Sequence, residues 1–404
     1  MGTQVSKAGF VVKSLRAVYR IFLEPVNAIR ARMIPVDRKK ILFTNFSGNY
    51  ECNARYICDE ILRRKLPWTI VWVVWGSGSQ KNNLAPGRYP KELVLRARYT
   101  KEFYRDLFSA RVIVDNGTSF ASCAYGKKRS QVLINTWHGS LGIKRFPKND
   151  SIWNWNYNRI ANWNGRMTDI MISNSAFEEG YYRETYFPKT PIRRLGHARN
   201  DPLFWKDPAR IAAVRDKVYE TYGIPKSYRI CLYAPTFRDD GDIRPYAIPY
   251  AKLREALKER FGGEWVVMTR FHYRSRALTS KVMIPWGVVS ATDYPDIVDL
   301  MIASDVGITD YSSWICEYIH SGKPGFLYAT DVKAYDCERG FYDPLDQMPF
   351  PFAPDSEALL SAVKGFDADK YAKDCAAFIR RKDCMDDGHA AERIVDMLEE
   401  IMGT

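Results

Sequence analysis

Residues 131–145 read QVLINTWHGSLGIKR. An apolar run, Val132 to Ile134, meets polar Asn135 and Thr136, and then Trp137, His138 and Gly139 follow at once. A run without apolar–polar alternation suits a strand covered on both faces, as in a parallel sheet flanked by helices. The same signature recurs at 40–46 (KILFTNF), 69–75 (TIVWVVW), 111–115 (RVIVD) and 169–173 (DIMIS). It returns in the second half at 229–234 (RICLYA), 264–269 (EWVVMT), 286–290, 305–309 (DVGIT) and 325–328 (GFLY). Helix-like stretches at 52–65, at 100–109, near 250–260 and from 311 separate them, and the last fifty or so residues read as helices. Strands alternating with helices predict α/β architecture with doubly wound, parallel sheets.

A chain of 404 residues exceeds one ordinary core, so two domains are expected. Gly223 and Pro225 within TYGIPKSY, 221–228, are breakers that read as a linker. The boundaries follow as a segment at 1–36, a first α/β domain at 37–222 and a second at 223–404. In doubly wound sheets ligands bind beyond the carboxyl ends of the strands, which puts His138 in a ligand-facing place.

The charge is +13, from 60 Lys and Arg against 47 Asp and Glu, and predicts a polyanionic partner without choosing among nucleic acid, anionic lipid and phosphorylated substrate. Residues 1–40 hold nine cations and two acids, more than half the net charge in a tenth of the chain. On a helical wheel Val5, Val12, Leu15, Val18, Tyr19, Phe22 and Val26 share one arc, and Lys13, Arg16 and Arg20 share another. Pro25 ends or kinks this helix. A basic amphipathic helix suits an anionic membrane surface, with Lys13, Arg16, Arg20 and Phe22 as the contacts. The competing arrangement is a helix docked on its own core with its cations merely solvated. No apolar run approaches the roughly 20 residues of a membrane span. Neither is there an apolar leader with a cleavage site. The eight cysteines include no C-x-x-C pair and read as reduced thiols.

Five stretches carry candidate chemistry. His138 follows the first strand quoted; Gly139 gives room for a ligand at the backbone, and Lys144 and Arg145 follow on an expected helical turn. His272 stands in a matching place after 264–269, within Arg270-Phe271-His272-Tyr273-Arg274. After 305–309 come Thr309, Asp310, Ser312 and Ser313, a helix start that suits either a cap or an anion. Pro235, Thr236 and Arg238 follow 229–234, and Arg199 lies in LGHARND, 195–201; arginine's fork matches phosphate, though either cation equally suits an ion pair. Neither G-x-x-x-x-G-K-[ST] nor G-x-G-x-x-G is present. The D-x-D at Asp367-Ala368-Asp369 reads as a helix cap, and no metal or other cofactor is expected.

Together these stretches resemble one family, the CDP-glycerol glycerophosphotransferases of bacterial teichoic-acid and capsule synthesis. The matching motifs are T-W-H-G at 136–139, G-x-x-R-N-D at 196–201, Y-A-P-T-x-R-D at 233–239, R-x-H-Y at 270–273, Y-P-D-I-x-D-L at 294–300, T-D-Y-S-S at 309–313 and R-G-F-Y at 339–342. After W-H-G the family commonly shows Thr-Pro-Leu-Lys, whereas this chain has Ser140-Leu141-Gly142-Ile143-Lys144. The resemblance implies a GT-B-like fold of two Rossmann-like domains facing a cleft, the first taking the acceptor and the second the donor. It implies a peripheral protein on the cytoplasmic face of the bacterial membrane. The reaction implied transfers glycerol phosphate, or a related alditol phosphate such as ribitol phosphate, from a CDP-alditol to a hydroxyl of a lipid-linked or polymeric acceptor, releasing CMP. The family's two histidines fall on His138 and His272, and its donor-binding positions on Arg199, Pro235, Thr236, Arg270 and the turn Thr309 to Ser313. Trp137 and Gly139 flank the first histidine, which is assigned as general base because it belongs to the first domain; sequence alone leaves the two histidine roles interchangeable. Two rivals remain: a GT-B glycosyltransferase using a nucleotide sugar, and a basic polyanion-binding protein. A nucleic-acid partner is not expected, since the densest basic block lies on an amphipathic helix and not among interleaved aromatics.

Overall fold

The computed structural model describes residues 22–75, 88–145, 155–238, 242, 244–271 and 286–403. The chain divides into two compact units. One draws on the described parts of Met1–His138, Lys148–Asp201 and Met385–Thr404, the other on Gly139–Pro147 and Pro202–Cys384.

The first unit holds seven strands: β1 (Asp37–Thr44), β2 (Thr69–Val74), β3 (Val94–Ala97), β4 (Ala110–Asp115), β5 (Val132–Asn135), β6 (Ile170–Ser173) and β7 (Ile192–Arg194). Every pairing is parallel, in the order β3-β2-β1-β4-β5-β6-β7. The apolar runs read from sequence are its interior: Ile41, Leu42, Phe43, Val71, Val73, Val112, Ile113, Leu133 and Ile134 are wholly buried. The strand order reverses between β1 and β4, whose register pairs Thr44 with Asp115, and Asp115 pairs with Asn135 of β5. Three neighbouring strands therefore end level, at the crevice where such sheets bind ligands.

The second unit repeats the plan with β8 (Tyr228–Tyr233), β9 (Glu264–Thr269), β10 (Val288–Ser290), β11 (Val306–Thr309), β12 (Gly325–Tyr328) and β13 (Phe352–Ala353). These too pair only in parallel, in the order β10-β9-β8-β11-β12-β13, with the reversal between β8 and β11. The strands sequence reading missed are β3 and β13, of four and two residues at the sheet edges.

The units divide differently from the single crossing expected at 222–223. Gly223 is the left-handed C-terminal cap (φ 62°) of helix Pro208–Tyr222, and its N–H bonds Tyr219 and Glu220 carbonyls. The breakers thus stop a helix inside the second unit. The last helix, Ala390–Met402, belongs to the first unit and packs on helix Cys52–Arg63, where Arg64 pairs with Asp396 and Glu399 at 2.6 Å each. Asp367 caps helix Ala368–Arg381 by accepting from the Lys370 N–H, the role read for D-x-D.

Residues 22–32 are helical. They are not a separate appendage: Asn27 and Ala31 are buried in the first unit, and Asn27 Nδ2 donates to the Ala124 carbonyl at 3.0 Å. No helix among the described residues is long and apolar enough to cross a membrane.

Candidate active site

In the first unit the strand ends hold one exposed imidazole. The ring of His138 lies 4.7 Å from Trp137, stacked at 25°, and 5.0 Å from Phe46, which follows β1. Its Nδ1 is 2.6 Å from the Asn116 carbonyl oxygen just past β4. A carbonyl only accepts, so Nδ1 carries the hydrogen and Nε2 is the basic nitrogen of the neutral ring. Asn116 serves twice, since its Oδ1 accepts the Phe46 N–H at 3.2 Å.

The loop presenting His138 is fastened by amides. Asn135 Oδ1 accepts the Trp137 N–H at 2.9 Å, and Asn53 Nδ2 reaches the carbonyls of Thr136 at 3.1 Å and Trp137 at 3.3 Å. Asn135 and Asn164 both donate to the Gly117 carbonyl, at 2.7 and 2.8 Å. Arg199, expected at the donor, is 7% exposed and donates from Nη1 to the His138 carbonyl at 3.0 Å. Beside Asn116, Asp115 is wholly buried, and burial pushes its carboxyl up to about 7 against the backbone N–H of Phe120 that favours the charge.

Two expectations about the next residues are corrected. A Cβ on Gly139 would sit 2.9 Å from Ser313 Oγ, so the missing side chain makes room for that hydroxyl and not for a ligand. Lys144 and Arg145 are not on a helical turn. Lys144 forms an antiparallel bridge with Phe341, the Arg145 N–H bonds the Gly340 carbonyl at 2.9 Å, and Arg145 Nε bonds the Phe341 carbonyl at 2.9 Å. The Ser140 N–H donates to Glu317 Oε1 at 3.0 Å. Residues after Gly139 are thus built into the second unit, against the R-G-F-Y stretch.

In the second unit a buried ion cluster ties the strand ends. Arg238 pairs through Nη2 with Asp310 at 2.8 Å, through Nε with Asp331 at 2.7 Å, and through Nη1 with the Thr236 carbonyl at 2.7 Å. The guanidinium lies 5.0 Å from the Tyr311 ring and 4.9 Å from the Tyr335 ring. All three of its nitrogens are engaged, so its fork is spent on carboxylates and not left for phosphate. Asp310 Oδ1 accepts the Thr236 N–H at 2.7 Å, and Thr309 Oγ1 donates to the Ala234 carbonyl at 2.7 Å, which makes both residues internal braces. Burial alone would raise the Asp331 carboxyl, but bonds from Arg238 and Tyr311 outweigh it and hold the group below its usual range.

Ser312 and Ser313 are half-buried beyond β11, and no Ser313 side-chain bond caps the short helix Trp314–Tyr318. Pro235 is buried, as is Thr236 at 8% exposure. Arg270 follows β9 half-buried, with its N–H on the Tyr233 carbonyl at 2.8 Å. The structure thus gathers Pro235, Thr236, Arg238, Arg270, Thr309, Asp310, Ser312 and Ser313 at adjoining strand ends of one unit. His138 and Arg199 belong together in the other. His272, Lys13, Arg16 and Arg20 lie outside the described residues. Phe22 is described and is 70% exposed.

Sequence reading passed over Asn53, Asn116, Phe46, Asp331 and Glu317. The first three carry no motif, and only their places after strands or at a helix start mark them. Asp331 follows β12 as Asp310 follows β11, and that shared position was the available signal.

Two all-parallel Rossmann-like units, each with polar side chains gathered beyond its strand ends, define a GT-B-like fold. Residues 27–400 match the family CDP-glycerol:poly(glycerophosphate) glycerophosphotransferase, and the chain belongs to it. It is 27% identical over 414 residues to the teichoic acid poly(glycerol phosphate) polymerase of Staphylococcus epidermidis, covering 96% of this chain and 55% of that protein. To the polymerase of the same name from Bacillus spizizenii it is 25% identical, covering 95% of this chain and 98% of that one. The chain therefore spans about half the length of the first relative and nearly all of the second. The wall teichoic acid polymerase TagF, solved as a variant soaked with CDPG, superposes with a TM-score of 0.78 at 24% identity over 99% of both chains.

Proposed function

We propose that this protein transfers glycerol phosphate from CDP-glycerol to a hydroxyl of a teichoic-acid-type acceptor, releasing CMP. The observation that carries the mechanism is the His138 ring. Its Nδ1–H is committed to the Asn116 carbonyl, so Nε2 is the nitrogen that takes a proton. An imidazole of ordinary pKa, about 6.5, accepts a proton at neutral pH. As the acceptor O–H gives its proton to Nε2, the oxygen attacks the glycerol-bearing phosphorus, a new P–O bond forms and the bond to the bridging oxygen breaks. CMP leaves with that electron pair. Positioning and charge stabilisation do most of the work in such transfers. The donor's pyrophosphate is assigned to Arg270, Ser312, Ser313 and, through the family resemblance, His272. Arg238, Asp310 and Thr309 hold that surface in shape from beneath.

The lipid-linked or polymeric acceptor is placed at an anionic membrane surface, on the cytoplasmic face. Helix 22–32 supports this reading, because its large apolar side chains face outward. Phe22 (70%), Val26 (41%), Ile29 (60%) and the following Met33 (79%) are exposed, spaced three or four apart, while small Ala31 faces the protein. Arg30 and Arg32 are exposed on the same helix. A helix simply docked on its own core would place these residues the other way round.

Donor identity is the test. The purified protein is incubated with an acceptor and, separately, with CDP-glycerol, CDP-ribitol and UDP-sugars, and the released nucleotide is measured. CMP from CDP-glycerol is expected. CMP from CDP-ribitol alone would shift the alditol, and UDP release would replace the reading with a sugar transferase.

A further inference from the structure

We infer that Asn53 is a positioning residue for His138, held in its working orientation by the buried pair Glu178–His197; the inference rests on His138 being the base. Trp137, the residue before the base, has φ 51°. That left-handed conformation is strained for a bulky residue and persists only where its surroundings impose it. The carbonyls on either side of its Cα are both held from one amide: Asn53 Nδ2 lies 3.1 Å from the Thr136 oxygen and 3.3 Å from the Trp137 oxygen. The next carbonyl, of His138 itself, accepts from Arg199 Nη1 at 3.0 Å. Three successive peptide oxygens are thus clamped directly before and at the base.

The orientation of the amide is dictated by its neighbours. The Arg199 N–H donates to Asn53 Oδ1 at 3.0 Å, so Nδ2 must face the carbonyls. His197 completes the fit. Its Nε2 is 2.9 Å from Glu178 Oε2, and a carboxylate oxygen accepts, so Nε2 carries the hydrogen and, in the neutral ring, Nδ1 is an acceptor. That Nδ1 stands 3.4 Å from the same Asn53 Nδ2. Glu178 is wholly buried and is fixed in turn by the Asn174 N–H at 2.9 Å. The chain Glu178–His197–Asn53 therefore turns Asn53 Nδ2 toward the carbonyls of the His138 loop.

The decisive variant is Asn53→Asp, which keeps the volume and sets an oxygen against two carbonyl oxygens. With CDP-glycerol as donor and CMP release as readout, kcat is expected to fall about 100-fold, the scale of a misplaced reacting group. Donor KM should stay within about threefold, because Asn53 belongs to the first unit and the donor's pyrophosphate is assigned to the second. On a His138→Ala background the same substitution should remove almost nothing more, since it acts only through the missing imidazole. Glu178→Gln is the second arm if Asn53→Asp fails to fold: it replaces one of the two carboxylate oxygens that face His197 Nε2 by an N–H donor and should lose about tenfold in kcat, again only when His138 is present. A full additive loss on the His138→Ala background, or a rise in donor KM at constant kcat, overturns the inference. High turnover by His138→Ala alone strikes the base assignment instead, which separates the two failures.

Discussion

The two units share a sheet plan and brace their strand ends with opposite chemistry. Around His138 the fastenings are mostly amides: Asn53, Asn116, Asn135 and Asn164 donate and accept, Arg199 adds one cation on the His138 carbonyl, and Asp115, beside Asn116, is pushed up to about 7 by its burial. Beyond β8, β11 and β12 the fastening is ionic, one buried guanidinium against Asp310 and Asp331. The difference suits the roles proposed for the two ends, a base at one and a pyrophosphate site at the other. A carboxylate bonded to an imidazole would raise its pKa, whereas the Asn116 carbonyl orients the ring without adding a charge. A surface for a pyrophosphate gains from rigid, charge-balanced loops whose polar hydrogens point outward.

The largest effect separates the two ends by function. His138→Ala should cut kcat by about 100-fold to 10,000-fold, the range for a lost general base. Because the ring is exposed, its loss leaves no large core cavity. CDP-glycerol affinity by calorimetry should stay within a few-fold, whereas His272→Ala should weaken donor binding together with turnover. If His138→Ala abolishes donor binding and His272→Ala spares it, the roles are reversed. Turnover reduced less than about tenfold by both would leave neither as the base.

Arg238→Met comes next and acts on the ionic end alone. It strands the buried Asp310 and the half-buried Asp331, at a cost of about 3–5 kcal/mol. Calorimetry should show a transition lowered by about 10 °C, and donor KM should rise as the Thr236 and Asp310 turns loosen. An unshifted melting temperature would mean that Asp310 and Asp331 relax into solvent when the guanidinium goes.

How far sequence reading reached depended on whether a residue's partners lie near it in the chain. Buried strands such as Leu133–Ile134 and Val266–Met268 were legible because apolar runs are a local property. Edge strands β3 and β13 were not, being too short to outweigh their polar flanks. Arg238 looked like a phosphate fork because a basic residue after a strand end carries no mark of the carboxylate 93 positions later that takes it. Gly139 looked like a ligand cradle because nothing local announces Ser313. Gly223 has the same letters in a linker as in a helix cap.

The membrane surface offers a smaller and reversible effect. Deleting residues 1–35 would also strip Asn27 and Ala31 from the first unit's core, so point changes are the cleaner probe. Phe22→Ser with Ile29→Ser leaves the buried face intact and removes two side chains that would enter the bilayer. Each such burial contributes about 1.5–3 kcal/mol at most. Co-sedimentation with anionic liposomes should weaken at least about tenfold and fall further with salt, as charge attraction is screened. Unchanged binding would place the membrane contact elsewhere or remove it from the reading.

The smallest effect expected is a few degrees of melting temperature, and its pH dependence reads the contrast between the ends directly. Asp115 titrates near 3.8 when exposed and at about 7 in the folded unit, where burial disfavours its charge. The folded chain therefore holds more protons than the unfolded one across that window. Its contribution to stability is fully present below about pH 4 and is lost as pH rises through about 7. Asp201, in the same unit, is likewise pushed up to about 7, chiefly by burial, and adds to the slope. Asp331 runs the other way: its folded value lies below the exposed one, so its contribution is present at neutral pH and is lost only in acid. Asp115→Asn removes one titration while keeping an acceptor for the Phe120 N–H. Variant and parent should melt together near pH 4, and by pH 8 the variant should melt a few degrees higher. An offset that is constant across the range would mean that the side chain's charge does not change there. The asparagine-built end of the molecule would then tolerate a buried carboxylate.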